Sequence, residues 1–399
     1  MLTNRQNRKS IQFVRRSSIY IVLPTRYLAG SEKRIIGIAC YIAKKNRSAN
    51  IHIVAPKALI NELNSSHEFS GIRKIENLAL HGLSGQRFSY LEFWLICFCF
   101  FLRQPRGITV HYPLVYPLLL KRLFNHFAIV SWVANCPPSR LYKRKLSRVL
   151  TTLSFVDANA IDILNPAIYA LLTEHSFLRQ KASLTCGGTH VDSQLYKPKA
   201  KEYIATFLGR LIPEKQALRY VQLLPSVCSI LEAKSLPVPV FYICGWGEEE
   251  AAIRKLIATR EYSKISIDLF RSDRPAEILS KTMIFFSLQV SSNYPSRALA
   301  ESMVAGAVPV LTESLDSELM IEPSLPHVFI PVDFAACDIA SAIETAWRFR
   351  EEWGDDLFNT ISGLSAKRFS ISRQADYFNQ IYGFSALAVC NGGEVEGRA

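Results

Sequence analysis

Short apolar runs punctuate the chain, and most lead through a polar or glycine-bearing turn into a segment with apolar residues at helical spacing. Runs at 19–24, 50–55, 107–111 and 128–135, then at 204–208, 238–244, 265–270, 283–288, 307–312 and 327–332, predict strands. Segments 35–45, 215–234, 275–281, 338–350 and 372–382 predict helices, as do a stretch ending at Ala258 and an Ala-rich one ending at Gly306. Such alternation gives parallel strands covered by helices, an α/β fold. The tightest unit is 283–312, strand, loop, helix and strand, with Pro295 ahead of the helix and Gly306 behind it. Its loop lies at the carboxyl end of a strand and faces a helix N-terminus. Doubly wound sheets bind ligands there, and exposed N–H groups favour an anion.

Length divides this pattern in two, since 399 residues suit two domains better than one. Charge divides it at the same place: residues 1–196 carry +17 and residues 197–399 carry −4, for a net +13. Basic clusters at 5–16, 44–47 and 140–148 fit an anionic membrane surface or a phosphorylated acceptor, and equally a solvated basic face. Nucleic acid is the weaker partner, because no recognition module accompanies the charge. Nine cysteines without metal-ligand spacing read as reduced thiols and predict a cytoplasmic protein. The run 19–24 is too short for a signal core, and 93–102 falls short of a bilayer span, so it reads as a buried helix or an interfacial segment. The last stretch, 390–399, has three glycines and no apolar pattern, which predicts a tail without fixed structure.

Candidate chemistry concentrates in the second half. Strand 204–208 runs into Gly209 and Arg210, and Lys215 opens the next helix. A forked guanidinium and a point-charge ammonium at one strand end suit an anion. Strand 238–244 ends in Gly245 and Gly247 (GWGEEE), a weak signal alone that gains from its place between strand and helix. The loop of 283–312 carries Asn293, Ser296, Arg297 and Ala298, and its helix carries Glu301, placed to reach a ribose hydroxyl near a bound phosphate. Between the halves, THVDSQLYKP (Thr189 to Pro198) forms a turn ahead of an aromatic and a proline.

In this order the motifs resemble those of the GT-B glycosyltransferases, specifically the retaining group called glycosyltransferase family 4 (glycosyl transferases group 1). The family pattern of an acidic residue, seven others, a second Glu and a small-residue helix end falls on Asn293, Glu301 and SMVAGAVPV. Its Gly-Arg-Leu…Glu-Lys motif falls on Gly209, Arg210 and Lys215, its Gly-x-Gly on Gly245 and Gly247, and its inter-domain Asn-Gly-Val-Asp turn on Thr189 to Asp192.

The resemblance implies a GT-B fold: two Rossmann-like domains facing a cleft, residues 1–196 on the acceptor side and 197–371 holding a nucleotide sugar. A helix at 372–384 would cross back to the first domain, ahead of a tail at 385–399. It further implies retaining transfer of a sugar to a saccharide or lipid-linked acceptor, as in surface polysaccharide or lipopolysaccharide synthesis, without a required metal or other cofactor. Arg210 and Lys215 would meet the diphosphate, Glu301 the ribose, and Asn293 the sugar or its phosphate through hydrogen bonds alone. Thr189 and His190 take the Asn-Gly places of the inter-domain turn, and three further positions depart from the pattern. Asn293 replaces the first acidic residue, Arg271 stands where a Gly is usual, and Ala134 takes the place of a His near the transferred sugar. His111, ending the preceding strand, is the nearest substitute on the acceptor side. A non-transferring GT-B binding protein and a nucleotide-sugar epimerase stay open on these departures.

Overall fold

The computed structural model describes residues 17–83, 107–111, 128–133, 158–164, 166–184, 189–314 and 316–382. The apolar run at 93–102, the basic clusters at 5–16 and 140–148, Ala134 and the tail from 383 lie outside them.

The first unit starts with β1 (Ser17–Val22), α1 (Gly30–Lys45), β2 (Ala49–Pro56), α2 (Lys57–Ser65) and β3 (Leu78–Leu83). It continues through β4 (Gly107–His111), β5 (Ala128–Val133), β6 (Ala160–Ile163), α3 (Pro166–Thr173), α4 (Ser176–Arg179) and β7 (Ala182–Leu184). These seven strands form one sheet in the order β3-β2-β1-β4-β5-β6-β7, every pair parallel.

The second unit runs β8 (Glu202–Arg210), α5 (Ala217–Ala233), β9 (Val240–Trp246), α6 (Glu250–Ile257), β10 (Ile267–Phe270), α7 (Pro275–Leu279) and β11 (Thr282–Ser287). Next come α8 (Arg297–Val304), β12 (Val308–Thr312), β13 (Val328–Ile330), α9 (Ala336–Trp353) and α10 (Asp356–Arg368). Its sheet has the order β10-β9-β8-β11-β12-β13, again all parallel. Both orders begin 3-2-1-4-5-6, the doubly wound arrangement whose ligand crevice opens where the order reverses. Those crevices lie between β1 and β4 and between β8 and β11.

Burial follows from layering. Every residue of β11 and β12 is buried, because helices cover both faces of a parallel sheet, and such strands read as unbroken apolar runs. Gly306 turns the chain from α8 into β12 at φ +86°, and a Cβ there would stand 2.7 Å from the Phe358 carbonyl. The position therefore demands glycine twice over, for its backbone angle and for its space.

The last helix, α11 (Ile371–Tyr382), leaves the second unit and packs on the first. Its Ala375, Phe378 and Tyr382 join the cluster built from β1, β2 and α1, including Ile19, Ile21, Ile35, Ile38 and Ile42. A buried polar node ties this helix down. Arg34 of α1 donates from Nη1 to Asp162 of β6 at 2.7 Å and from Nε to Gln374 at 2.9 Å. Gln374 in turn donates to the carbonyl of Thr189, in the segment linking the two units.

Candidate functional site

The crevice of the second sheet collects most of the predicted residues. Gly209 and Arg210 end β8, a short 3-10 turn (Pro213–Lys215) follows, and Lys215 closes that turn instead of opening the long helix. Arg210 is exposed and Lys215 half-buried. Among the described residues neither cation is in an ion pair. Burial, the neighbouring Arg210 charge and a partial offset from Glu214 leave the Lys215 ammonium pushed down to about 8. Two cations without carboxylate partners at a crevice mouth constitute a site prepared for an anion.

The two glycines expected near a nucleotide have a structural task as well. A Cβ on Gly245 would lie 1.9 Å from the carbonyl oxygen of Gly209, and one on Gly247 2.2 Å from that of Leu211. Only hydrogen at both positions lets the ends of β8 and β9 meet this closely.

Across the crevice, α8 points its N-terminus at the same space. Ser296 caps it, its Oγ accepting from the N–H of Leu299 at 3.4 Å. Among the described residues no protein acceptor takes the N–H of Arg297 or Ala298, so the first turn keeps donors for an anion.

Asn293, at the acidic position of the motif, stands in a setting that suits its amide. Its side chain is fully buried. The amide Nδ2 lies 3.1 Å from the carbonyl and the hydroxyl of Thr312 and from the hydroxyl of Ser317, while Oδ1 accepts from Ser287 at 2.6 Å. A carboxylate could not donate to the Thr312 carbonyl, so this pocket fits an amide and rejects the acidic residue of the family pattern. Asn293 thus clamps the ends of β11 and β12 together.

Glu301 is nearly buried and already engaged: its Oε1 accepts from Arg297 Nε at 2.7 Å. Arg297, read from the sequence only as part of an anion-binding turn, proves to be the bridge between the units. Its Nη2 pairs with Glu68 of the first unit, which also pairs with Lys33 at 3.2 Å. Burial works against the guanidinium charge, but Glu301 and Glu68 outweigh it and hold the pKa above the ordinary arginine value. A Cβ on Gly30, the first residue of α1, would come within 3.7 Å of the Arg297 Cβ. The N-termini of α1 and α8 therefore face one another, each at the crevice of its own sheet.

Behind them lies His190. Burial, then the Arg297 and Arg34 charges, keep its imidazole neutral by lowering its pKa well below the usual histidine range. Its Nδ1 is buried without a hydrogen-bond partner, and a Cβ on Gly37 would sit 2.4 Å from its Nε2. Sequence reading placed His190 in a turn and did not anticipate that it would be wedged against α1. His111 ends β4 at the crevice of the first sheet.

Two doubly wound sheets with opposed crevices, linked after β7 and laced together by a returning terminal helix, define the GT-B fold. Solved structures agree with this. The chain is similar to a glycosyltransferase from Rickettsia africae (TM-score 0.66, 14% identity, 92% of this chain and 97% of that one). It is also similar to Anabaena HepE in complex with UDP and glucose (TM-score 0.64, 13% identity, 94% and 99%). Sucrose-phosphate synthase from Thermosynechococcus elongatus gives a TM-score of 0.65 at 12% identity, over 93% and 100% of the two chains. No family model and no curated protein sequence matches the chain.

Proposed function

We propose that the protein is a glycosyltransferase that takes a sugar from a nucleotide diphosphate, with retention at the anomeric carbon. The observation that carries this reading is the pair Arg210 and Lys215, unpaired cations at the reversal point of the second sheet, opposite the free N–H groups of α8. As the bond from the anomeric carbon to the diphosphate breaks, negative charge grows on the departing phosphate, and these groups are in place to meet it. Glu301 would hold the ribose, exchanging part of its contact with Arg297 for a hydroxyl, and His111 would serve the acceptor. Neutralisation by protein groups leaves no step that calls for a metal. HepE, of the same fold, binds UDP and glucose, which favours a UDP-sugar donor here. The basic first half favours a saccharide or lipid-linked acceptor at an anionic cytoplasmic membrane face, in surface polysaccharide or lipopolysaccharide synthesis. Among the described residues no helix is long and apolar enough to cross a membrane.

The test is thermal unfolding of the wild type and Glu301→Ala with UDP-, GDP- and ADP-sugars. A donor at a hundred times its Kd stabilises by about 2.7 kcal/mol. One donor should raise the wild-type Tm and fail to raise that of the variant; no rise with any donor would sink the reading. The buried amide of Asn293 favours one alternative, a fold that binds the donor without transferring from it. Release of nucleotide from the bound donor, with acceptor or water, would exclude that alternative.

Lys215 supplies a pH signature. Below its value of about 8 the ammonium is already charged in the free protein, and donor affinity should be flat. Above that pH the free protein loses the proton, which a bound diphosphate would restore. Binding then takes up a proton, and affinity should fall by up to about tenfold per pH unit. Calorimetric titrations of UDP at ~pH 7, 8 and 9 check this, and Lys215→Met should flatten the profile.

A further inference from the structure

The donor reading leaves the exposed indole of Trp246 without a role. This side chain is 58% exposed, yet its backbone is fixed. Trp246 ends β9 in register with Arg210, the last residue of β8, on strands about 5 Å apart. The N–H of Leu211 donates to the Trp246 carbonyl at 2.9 Å, and the N–H of Glu249 to the Leu211 carbonyl at 3.0 Å. Gly245 and Gly247 stand on either side, where any side chain would strike backbone oxygens. The indole therefore rises alone from a glycine floor. Among the described residues no ring stacks on it and no cation lies over it. A tryptophan usually buries most of its large surface. One held open on a rigid strand end, next to two unpaired cations, matches a ligand that joins a flat π-system to a diphosphate.

We propose that Trp246 is the platform on which the nucleobase of the donor stacks; this rests on the donor reading above and adds a residue and a recognition mode to it. Stacking of a base on an aromatic ring tolerates any base, because each has a π-face. Trp246 thus sets affinity for the nucleoside end, while Arg210 and Lys215 hold the phosphates. An outward tryptophan kept for a protein partner is the competing explanation, and it predicts no dependence of nucleotide binding on this residue.

The experiment measures Kd for UDP, or for whichever of ADP and GDP binds more tightly, and for inorganic pyrophosphate as a base-free probe. Wild type, Trp246→Ala, Trp246→Phe and Arg210→Ala are compared. Trp246→Ala should weaken nucleotide binding by about tenfold, within the range for one base on one aromatic ring, and leave pyrophosphate unchanged. Trp246→Phe should keep most of the affinity while losing the tryptophan quenching that the nucleotide causes in wild type. Equal affinity of Trp246→Ala and wild type for the nucleotide would overturn the platform, and so would parallel losses for nucleotide and pyrophosphate. If only Arg210→Ala loses binding, the platform falls and the donor site stands. If wild type binds none of the nucleotides, both fall together.

Discussion

Arg210→Ala is expected to lower kcat/KM for sugar transfer by about 10²–10³-fold, the usual effect of removing one donor aimed at developing charge. The loss should fall mainly on kcat, because the phosphate gains most of its charge as the glycosyl bond breaks, and only interactions stronger in the transition state speed the chemical step. Stability should hardly change. Arg210 is exposed at a strand end without an ion pair, and surface substitutions of that kind stay within about 0.5 kcal/mol. Steady-state kinetics with the donor found by thermal shift, beside a melting curve of the variant, separate the two effects. Full activity in a normally folded variant would reduce Arg210 to a surface cation and remove the main support for the transferase reading.

The second large effect is on stability. Arg34→Met should destabilise the protein by about 3–5 kcal/mol, because it breaks a buried ion pair by removing one of its partners. Arg34 and Asp162 are each about 1% exposed at the side chain and 2.7 Å apart. The guanidinium also holds Gln374 of α11, so its loss should free the terminal helix as well. Denaturant unfolding measures the first consequence and hydrogen exchange across 371–382 the second. A double variant, Arg34→Met with Asp162→Leu, should recover much of the loss, since an apolar pair of similar volume avoids the desolvation cost. A change below about 1 kcal/mol in the single variant would mean that the node is wetter than its geometry suggests.

Much of the fold was legible because parallel strands covered on both faces carry their signal locally. The runs at 283–288 and 307–312 fall within one residue of β11 and β12 at each end, and Gly306 marks the turn between them. Where charge masks the pattern, the reading failed. The apolar pattern predicts no element over 57–86, yet α2 buries Leu59, Ile60 and Leu63 on one side, and β3 is an edge strand with only Leu78 buried. The site was legible to the extent that it rests on strand ends and helix starts: Gly209 and Arg210 end β8, and Ser296 caps α8. What the sequence could not display are partners far apart along the chain. Glu68 lies 229 positions from Arg297, and nothing near either residue signals the pair. The setting of Asn293 is hidden for a related reason: its position in the motif is local, but the carbonyl that suits an amide belongs to Thr312, on the neighbouring strand.

The return of α11 to the first sheet has a consequence for how the protein is made. The apolar face of α1 is covered by Ala375, Phe378 and Tyr382, which leave the ribosome only after the whole second sheet has been synthesised. The second unit has all its strands between 202 and 330 and the last of its core, Phe358, Ile361 and Phe369, just ahead of α11, so every residue of that core is made before the helix that completes the first. The first unit, although made earlier, waits with an open apolar face until its last helix arrives. Domains usually complete in the order of synthesis; here the order is reversed, and the unit exposed longest to premature association is the one at the start of the chain.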